Sequence, residues 1–323
     1  PPEKTWILDT FGTDGTITDH EFFGRMPPLS DYPLHRFLTL VPGYAVRNTF
    51  LGAAVVGAGV KDDSERASRE FQCILWSKVQ PWLGWKQGYH RALLQEYVKH
   101  CKVIATIDSH DTYHSAQLIK DCCPEVEIRG VQSGEAFAAL LRSSAVYLGV
   151  GEPLIAPSCF EALSVGTHVV QPRHPKPQVL KQKPITQNWT SQHPFLEQVP
   201  EPYAFTIDPL DKADIARVFA KIRASFGLVF GARAAAAGTG TAGIDGAGAV
   251  DEANAGATRA ELEAFYTAGV HPKNDVYAIK GFLTRVARTV RQTRPLAASD
   301  WEWEIQDHPK LLPQWVQEAG RPQ

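Results

Sequence analysis

The sequence predicts an α/β fold: one doubly wound parallel sheet with helices on both faces, an irregular amino-terminal extension and a C-terminal helix. Three observations carry that prediction. From about residue 71 to residue 222, strand-like and helix-like stretches alternate regularly. Several of the strand-like runs are apolar enough to be buried. Helical stretches close on stop signals, as at Pro124 and Gly166.

The elements follow in order. Trp6-Ile7-Leu8 is strand-like and runs into the polar turn Asp9 to Thr13, and residues 14–48 read as a long irregular connection. Thr49 to Val56 is apolar enough for a buried strand, and Phe71 to Trp76 is strand-like with Ser77-Lys78 at its end. Gly88 to His100 has helical spacing, with Leu93, Leu94, Tyr97 and Val98 on one face. Lys102 to Ile107 is a β-branched strand, Ser115 to Cys122 a short helix, and Val126 to Gly130 a strand. A helix starts at Ser133-Gly-Glu135 and runs to Arg142, ahead of a buried strand at Ala145 to Val150. Ser158 to Val165 is helical, and Thr167 to Gln171 is the next strand.

These elements divide the chain into four parts. Residues 1–68 form a strand and irregular extension, and 69–224 form the ligand-binding core. Residues 225–270 include the stretch Gly231 to Ala257, nearly all Gly, Ala and Thr, which predicts a disordered insertion. Residues 271–323 hold a helix from about Val276 to Arg291 and a Trp-rich tail.

Composition narrows the partners. With 33 basic and 35 acidic residues the net charge is −2, which gives no long-range pull toward nucleic acid or anionic lipid. No run approaches the roughly 18 apolar residues of a membrane span. The start at Pro1-Pro2, with no initiator Met or leader, reads as a fragment or a processed product. Five cysteines (Cys73, Cys101, Cys122, Cys123, Cys159) show neither Cys-x-x-Cys nor zinc spacing, and their pairing stays open. Asn188-Trp-Thr190 is an N-glycosylation acceptor sequence.

Several segments could carry chemistry. Gly57-Ala-Gly59 follows an apolar strand, but Asp62 stands where a dinucleotide fingerprint needs its third Gly. His110 and His114, with Asp108 and Asp111 nearby, have spacing that could hold a metal, yet no Glu follows in the metalloprotease pattern; no metal site is expected. Lys78 is either a solvated loop lysine or a cation placed to meet a phosphate. The richest constellation is Gly149 to Val170, in which a strand, a Gly/Pro loop and a helix with Glu161 in its first turn precede another strand. A carboxylate there can simply favour a helix N-terminus by about 0.3–1 kcal/mol. It can also accept both hydroxyls of a ribose while the helix N-terminus faces a diphosphate.

Phe160-Glu161-Ala162-Leu163-Ser164-Val165-Gly166 resembles the donor signature of glycosyltransferases built from two facing Rossmann-like lobes, the GT-B fold. Leu8-Asp9-Thr10-Phe11-Gly12-Thr13, Phe50-Leu51-Gly52, Ser77-Lys78-Val79, Leu141-Arg142, Lys183-Pro184 and Thr190-Ser191-Gln192-His193-Pro194 narrow it to the N-acetylglucosaminyltransferase V family. The similarity runs from about Trp6 to Ile222 and resumes weakly around Tyr277 to Val290.

The resemblance implies transfer of N-acetylglucosamine from UDP-GlcNAc to a mannose of N-glycans, without cofactor or metal. Glu161 would hold the ribose and Lys183 the diphosphate, with Lys78, Ser191, Gln192 and His193 as further donor-site candidates placed by position. The family's catalytic base lies in an amino-terminal lobe, so none is named here. Full-length members are Golgi lumenal type II membrane proteins, which puts any membrane contact outside this chain. Two departures bear on preference: Ile155 stands where an acid is expected, and the loop between Glu161 and Lys183 is short. A non-catalytic nucleotide-sugar binder, or a sugar-nucleotide epimerase of related architecture, are the competing readings.

Overall fold

The computed structural model describes residues 7–9, 37–39, 49–50, 69–76, 89–108, 114–151, 156, 158–182, 185–193, 196–197, 199–231 and 252–268. A small parallel sheet has the order β1 (Ile7–Asp9), β2 (Phe37–Thr39), β3 (Thr49–Phe50). β1 matches the expected first strand, shifted by one residue. β2 corrects the sequence reading, because it lies inside the stretch 14–48 expected to be irregular.

The main sheet holds β4 (Glu70–Trp76), β5 (Lys102–Ala105), β6 (Glu127–Ile128), β7 (Ser144–Gly149), β8 (His168–Gln182) and β10 (Ala204–Ile207). Their order is β10-β8-β7-β4-β5-β6, and every neighbouring pair on that path is parallel. β9 (Ile185–Ser191) folds back on β8 as an antiparallel hairpin partner. From β4 the chain winds outward through β5 and β6, then returns to place β7 on the other side of β4. Beyond the carboxyl ends of β4 and β7 the winding reverses, and in open parallel sheets that is where ligands bind.

The central strands explain themselves. All six residues of β7 are buried, as are Phe71, Cys73, Ile74 and Leu75 of β4. Strands covered on both faces read as nearly continuous apolar runs. The crossovers use α1 (Tyr89–Tyr97), α2 (Ser115–Cys122), α3 (Gly134–Ser143) and α4 (Ser158–Ser164). A disulfide joins Cys73 on β4 to Cys101 ahead of β5. α5 (Lys212–Phe230) is capped by Asp211, whose carboxylate accepts the amides of Ala213 (2.8 Å) and Asp214 (3.2 Å). Its buried Ile215, Val218, Phe219, Ile222 and Phe226 follow helical spacing.

The expected disordered insertion at 225–270 is corrected at both ends. α5 continues to Phe230, and α6 (Glu252–Ala255) and α7 (Arg259–Ala268) pack on the core through the fully buried Ala255, Leu262, Phe265 and Tyr266. A capping box starts α7: Thr258 Oγ1 accepts from Glu261 N (3.2 Å), and a Glu261 carboxylate oxygen accepts from Thr258 N (3.0 Å). Residues 232–251, the expected helix at 276–291 and the Trp-rich tail lie outside the described residues.

Candidate functional site

The site is built where β7 gives way to α4. Glu161 is half-buried in the first turn of α4, while Cys159, Phe160, Ala162 and Leu163 turn inward. Ahead of it, the Tyr147 hydroxyl is 3.0 Å from Ser158 Oγ. The helix ends in a Schellman motif. Thr167 N donates to Ala162 O (2.9 Å) and Gly166 N to Leu163 O (3.1 Å), with Gly166 at φ 75°. The buried Arg69 guanidinium donates to the carbonyls of Gly166 and Val165 (the latter at 2.7 Å), satisfying the end of the helix with a cation.

α7 closes the same corner. Any Cβ on Gly166 would collide with Phe265 O and sit 2.7 Å from Tyr266 Cα. His168, fully buried, bridges Pro202 O and the Tyr266 hydroxyl, each at 2.6 Å. Burial pushes its pKa down to about 3. A neutral ring serves both contacts: Nδ1–H donates to the carbonyl and Nε2 accepts from the phenol.

On the other side of α4 lies the run Ser191 to His193, three side chains that are completely buried. Gln192 Oε1 accepts from Gly151 N (2.8 Å), and Gln192 N donates to Pro172 O (3.3 Å). Gln171 makes an amide pairing with the His193 main chain: its Nε2 donates to His193 O (3.0 Å) and its Oε1 accepts from His193 N (2.7 Å). The same Nε2 lies 3.4 Å from Ser191 Oγ. The His193 ring stands edge-on to Phe160, with centroids 4.9 Å apart. Burial holds its pKa at about 3.

The Gly149–Gly151 turn rests on aromatic hydroxyls and imidazoles. Tyr97 Oη donates to Gly149 O (3.0 Å). Gly151 has φ 102°, and a Cβ there would strike Tyr89 Oη and approach His90 Nε2 to 2.6 Å. Glycine is demanded twice at this position, by backbone angle and by space. Tyr89 Oη is 3.3 Å from Nδ1 of His174, an imidazole whose burial lowers its pKa to about 4.

Of the sequence-predicted site residues, the structure brings Glu161, Ser191, Gln192 and His193 to one corner of the sheet. Glu161 alone among these four has a partly exposed side chain; the other three fasten the loop and helix from beneath. Lys183, Lys78, His110 and the Gly57–Gly59 segment lie outside the described residues, although Lys78 follows β4 by two positions. Asn188 pairs with Val179 in the β8–β9 hairpin. Among the described residues, no group of three or more His, Cys, Asp or Glu is arranged to hold a metal, and no helix is long and apolar enough to cross a membrane. Sequence reasoning missed Gln171, Arg69, Tyr89, His90 and His174. Arg69, Gln171 and His174 are polar residues in or beside the strands β4 and β8, whereas Tyr89 and His90 open α1 and carried no such signal.

The sequence comparisons agree on one family. The sequence model of glycosyltransferase family 18 matches residues 4–225. The alpha-1,6-mannosylglycoprotein 6-beta-N-acetylglucosaminyltransferase of Caenorhabditis elegans is 24% identical over 229 residues, 65% of this chain and 33% of that protein. The human enzyme A of the same name is 26% identical over 218 residues, 62% of this chain and 28% of that protein. The chain thus spans about a third of the length of the curated relatives it matches. Among solved structures, Anabaena HepE in complex with UDP and glucose aligns with a TM-score of 0.44 at 12% identity, covering 79% of this chain and 62% of that one. Sucrose-phosphate synthase from Thermosynechococcus elongatus aligns at 0.41 and 14%, covering 88% and 68%.

Proposed function

The chain belongs to glycosyltransferase family 18, and we propose that it forms the nucleotide-sugar-binding lobe of a GT-B transferase using UDP-GlcNAc. The observation that carries this reading is Glu161. It is a half-buried carboxylate in the first turn of α4, beside the reversal of the sheet, on a helix fastened at both ends. There it accepts the ribose hydroxyls in charge-assisted hydrogen bonds, the strong kind. Lys183 and Lys78 meet the diphosphate and stabilise UDP as it leaves, with no metal required. Ser191, Gln192 and His193 serve the donor by holding the Gly151 loop and α4 in place.

The parent reaction is inverting transfer of N-acetylglucosamine to a mannose hydroxyl of an N-glycan, the β-1,6 branching step. A base outside this chain deprotonates the acceptor, the hydroxyl attacks the anomeric carbon, and UDP departs toward Lys183. The buried Cys73–Cys101 disulfide supports an oxidising compartment, in line with the Golgi lumen and with use of Asn188 as a glycan acceptor.

Isothermal titration with UDP tests the reading. Glu161→Ala lowers UDP affinity by roughly 1.5–3 kcal/mol for each charge-assisted bond lost, with an unchanged urea midpoint. Lys183→Ala weakens UDP far more than uridine. Unaltered UDP affinity in a folded Glu161→Ala protein overturns the ribose role, and equal losses for uridine and UDP move Lys183 off the diphosphate. If UDP-GlcNAc binds but no transfer to a biantennary glycan occurs even with the whole gene product, the lobe is a binding module.

A further inference from the structure

The feature left unused by donor binding is the pair Cys122–Cys123, on the crossover between β5 and β6. Pro124 disfavours helical backbone at the residue before it, so α2 stops at Cys122 and Cys123 leaves the helix at φ −146°, ψ 75°. With the chain leaving the helix at that point, the two Sγ atoms come to 2.8 Å. The turn is fastened from several directions. Cys123 N donates to Ile119 O (2.8 Å), and Val126 N donates to Cys123 O (3.1 Å). Lys120 Nζ reaches the carbonyls of Pro124 (2.8 Å) and Val126 (2.6 Å). Cys122 is half-buried and Cys123 is buried, so only the first sulfur is open to a reagent.

We propose that Cys122 and Cys123 form a vicinal dithiol site that takes small-molecule disulfides and closes to a Cys122–Cys123 disulfide. The Cys122 thiolate attacks one sulfur of the reagent, making a mixed disulfide and releasing the first thiolate. The Cys123 thiolate then displaces the second half of the reagent and closes an eight-membered ring. The two protein thiols are oxidised, the reagent is reduced to two thiols, and the two protons pass to the thiolates released. The order of attack follows the local electrostatics. The hydrogen bond from Cys123 and the nearby Arg91 charge favour the Cys122 thiolate, whereas the same hydrogen bond and burial raise the Cys123 thiol. Neither sulfur belongs to the Cys73–Cys101 bridge, and Cys159 is buried on α4.

The sequence supplies a clean readout, because cleavage after Lys120 and Arg129 yields the peptide 121–129, which holds these two cysteines and no other. The folded chain is treated with oxidised glutathione and then unfolded in urea, remaining thiols are blocked with N-ethylmaleimide, and peptides are read by tandem mass spectrometry. Peptide 121–129 should emerge two hydrogens lighter and carry no maleimide, and prior reduction should restore two maleimides. Cys123→Ser should stop at a glutathione adduct on Cys122, and Cys122→Ser should stay unmodified by glutathione. Maleimide on both cysteines after oxidant, or glutathione on each without ring closure, overturns the proposal. Rapid glutathione addition to Cys123 in Cys122→Ser overturns the order of attack.

Discussion

The two flanks of the reversal between β4 and β7 are held by different chemistry. On the β5–β6 side, strand ends carry surface ion pairs, such as Lys102 with Glu127 at 2.8 Å, where both side chains are more than a third exposed. Such pairs contribute about 0–1 kcal/mol. On the β7–β8–β10 side, Arg69, His168, Gln171, Gln192 and His193 are buried, and their polar contacts land on backbone groups of loops and helix ends. A buried backbone group that loses its partner costs about 1–3 kcal/mol. The flank that carries Glu161 is therefore pinned by interactions that fail abruptly, and the other flank by interactions that fade.

Acid should separate the flanks most strongly. His168 and His193, with pKa values near 3, and His174, near 4, stay neutral in the folded protein while the unfolded chain protonates near 6.5. The unfolded state then binds more protons below pH 6.5, so stability is full above that value and falls as pH drops. Each imidazole contributes about 1.4 kcal/mol per pH unit, and together they remove about 6 kcal/mol by pH 5, comparable with the whole stability of many domains. Urea melts between about pH 7 and pH 5 check this; a level profile would break the contrast.

Gly166→Ala comes next. It forces a side chain into φ 75° and into the backbone of Phe265 and Tyr266. Backbone strain and overpacking together predict a loss of roughly 2–4 kcal/mol, and hydrogen exchange should show α7 losing protection first. Equal protection in both proteins would mean α7 does not seat on Gly166.

The smaller test is Gln192→Met, which keeps bulk but orphans the Gly151 amide. It should cost about 1–3 kcal/mol of stability and weaken UDP binding, whereas the control Lys102→Ala on the opposite flank should cost no more than about 1 kcal/mol. Matching losses at the two positions would erase the distinction.

The parallel core was legible because its strands are short apolar runs and its helices carry their own stop signals, as at Pro124 and Gly166. The insertion was misread for a physical reason. Gly- and Ala-rich composition between 231 and 257 masked the capping box at Thr258 and Glu261, and Phe265 and Tyr266 gain burial only once Gly166 offers a seat. The β8–β9 hairpin was missed too, since nothing local in Ser191 to His193 announces that the run pairs back toward β8.

Sequence by itself determined the order of elements from β4 to the start of β8, the acid in the first turn of α4 and the family, because these depend on neighbours within a few turns of chain. Tertiary structure alone decided that Gln192, Gln171 and His193 face inward and which cysteines meet. It also decided that Arg69 closes a helix almost a hundred residues away. Those pairings are long-range: each partner satisfies a buried polar group whose need exists only after the sheet has brought the two segments together.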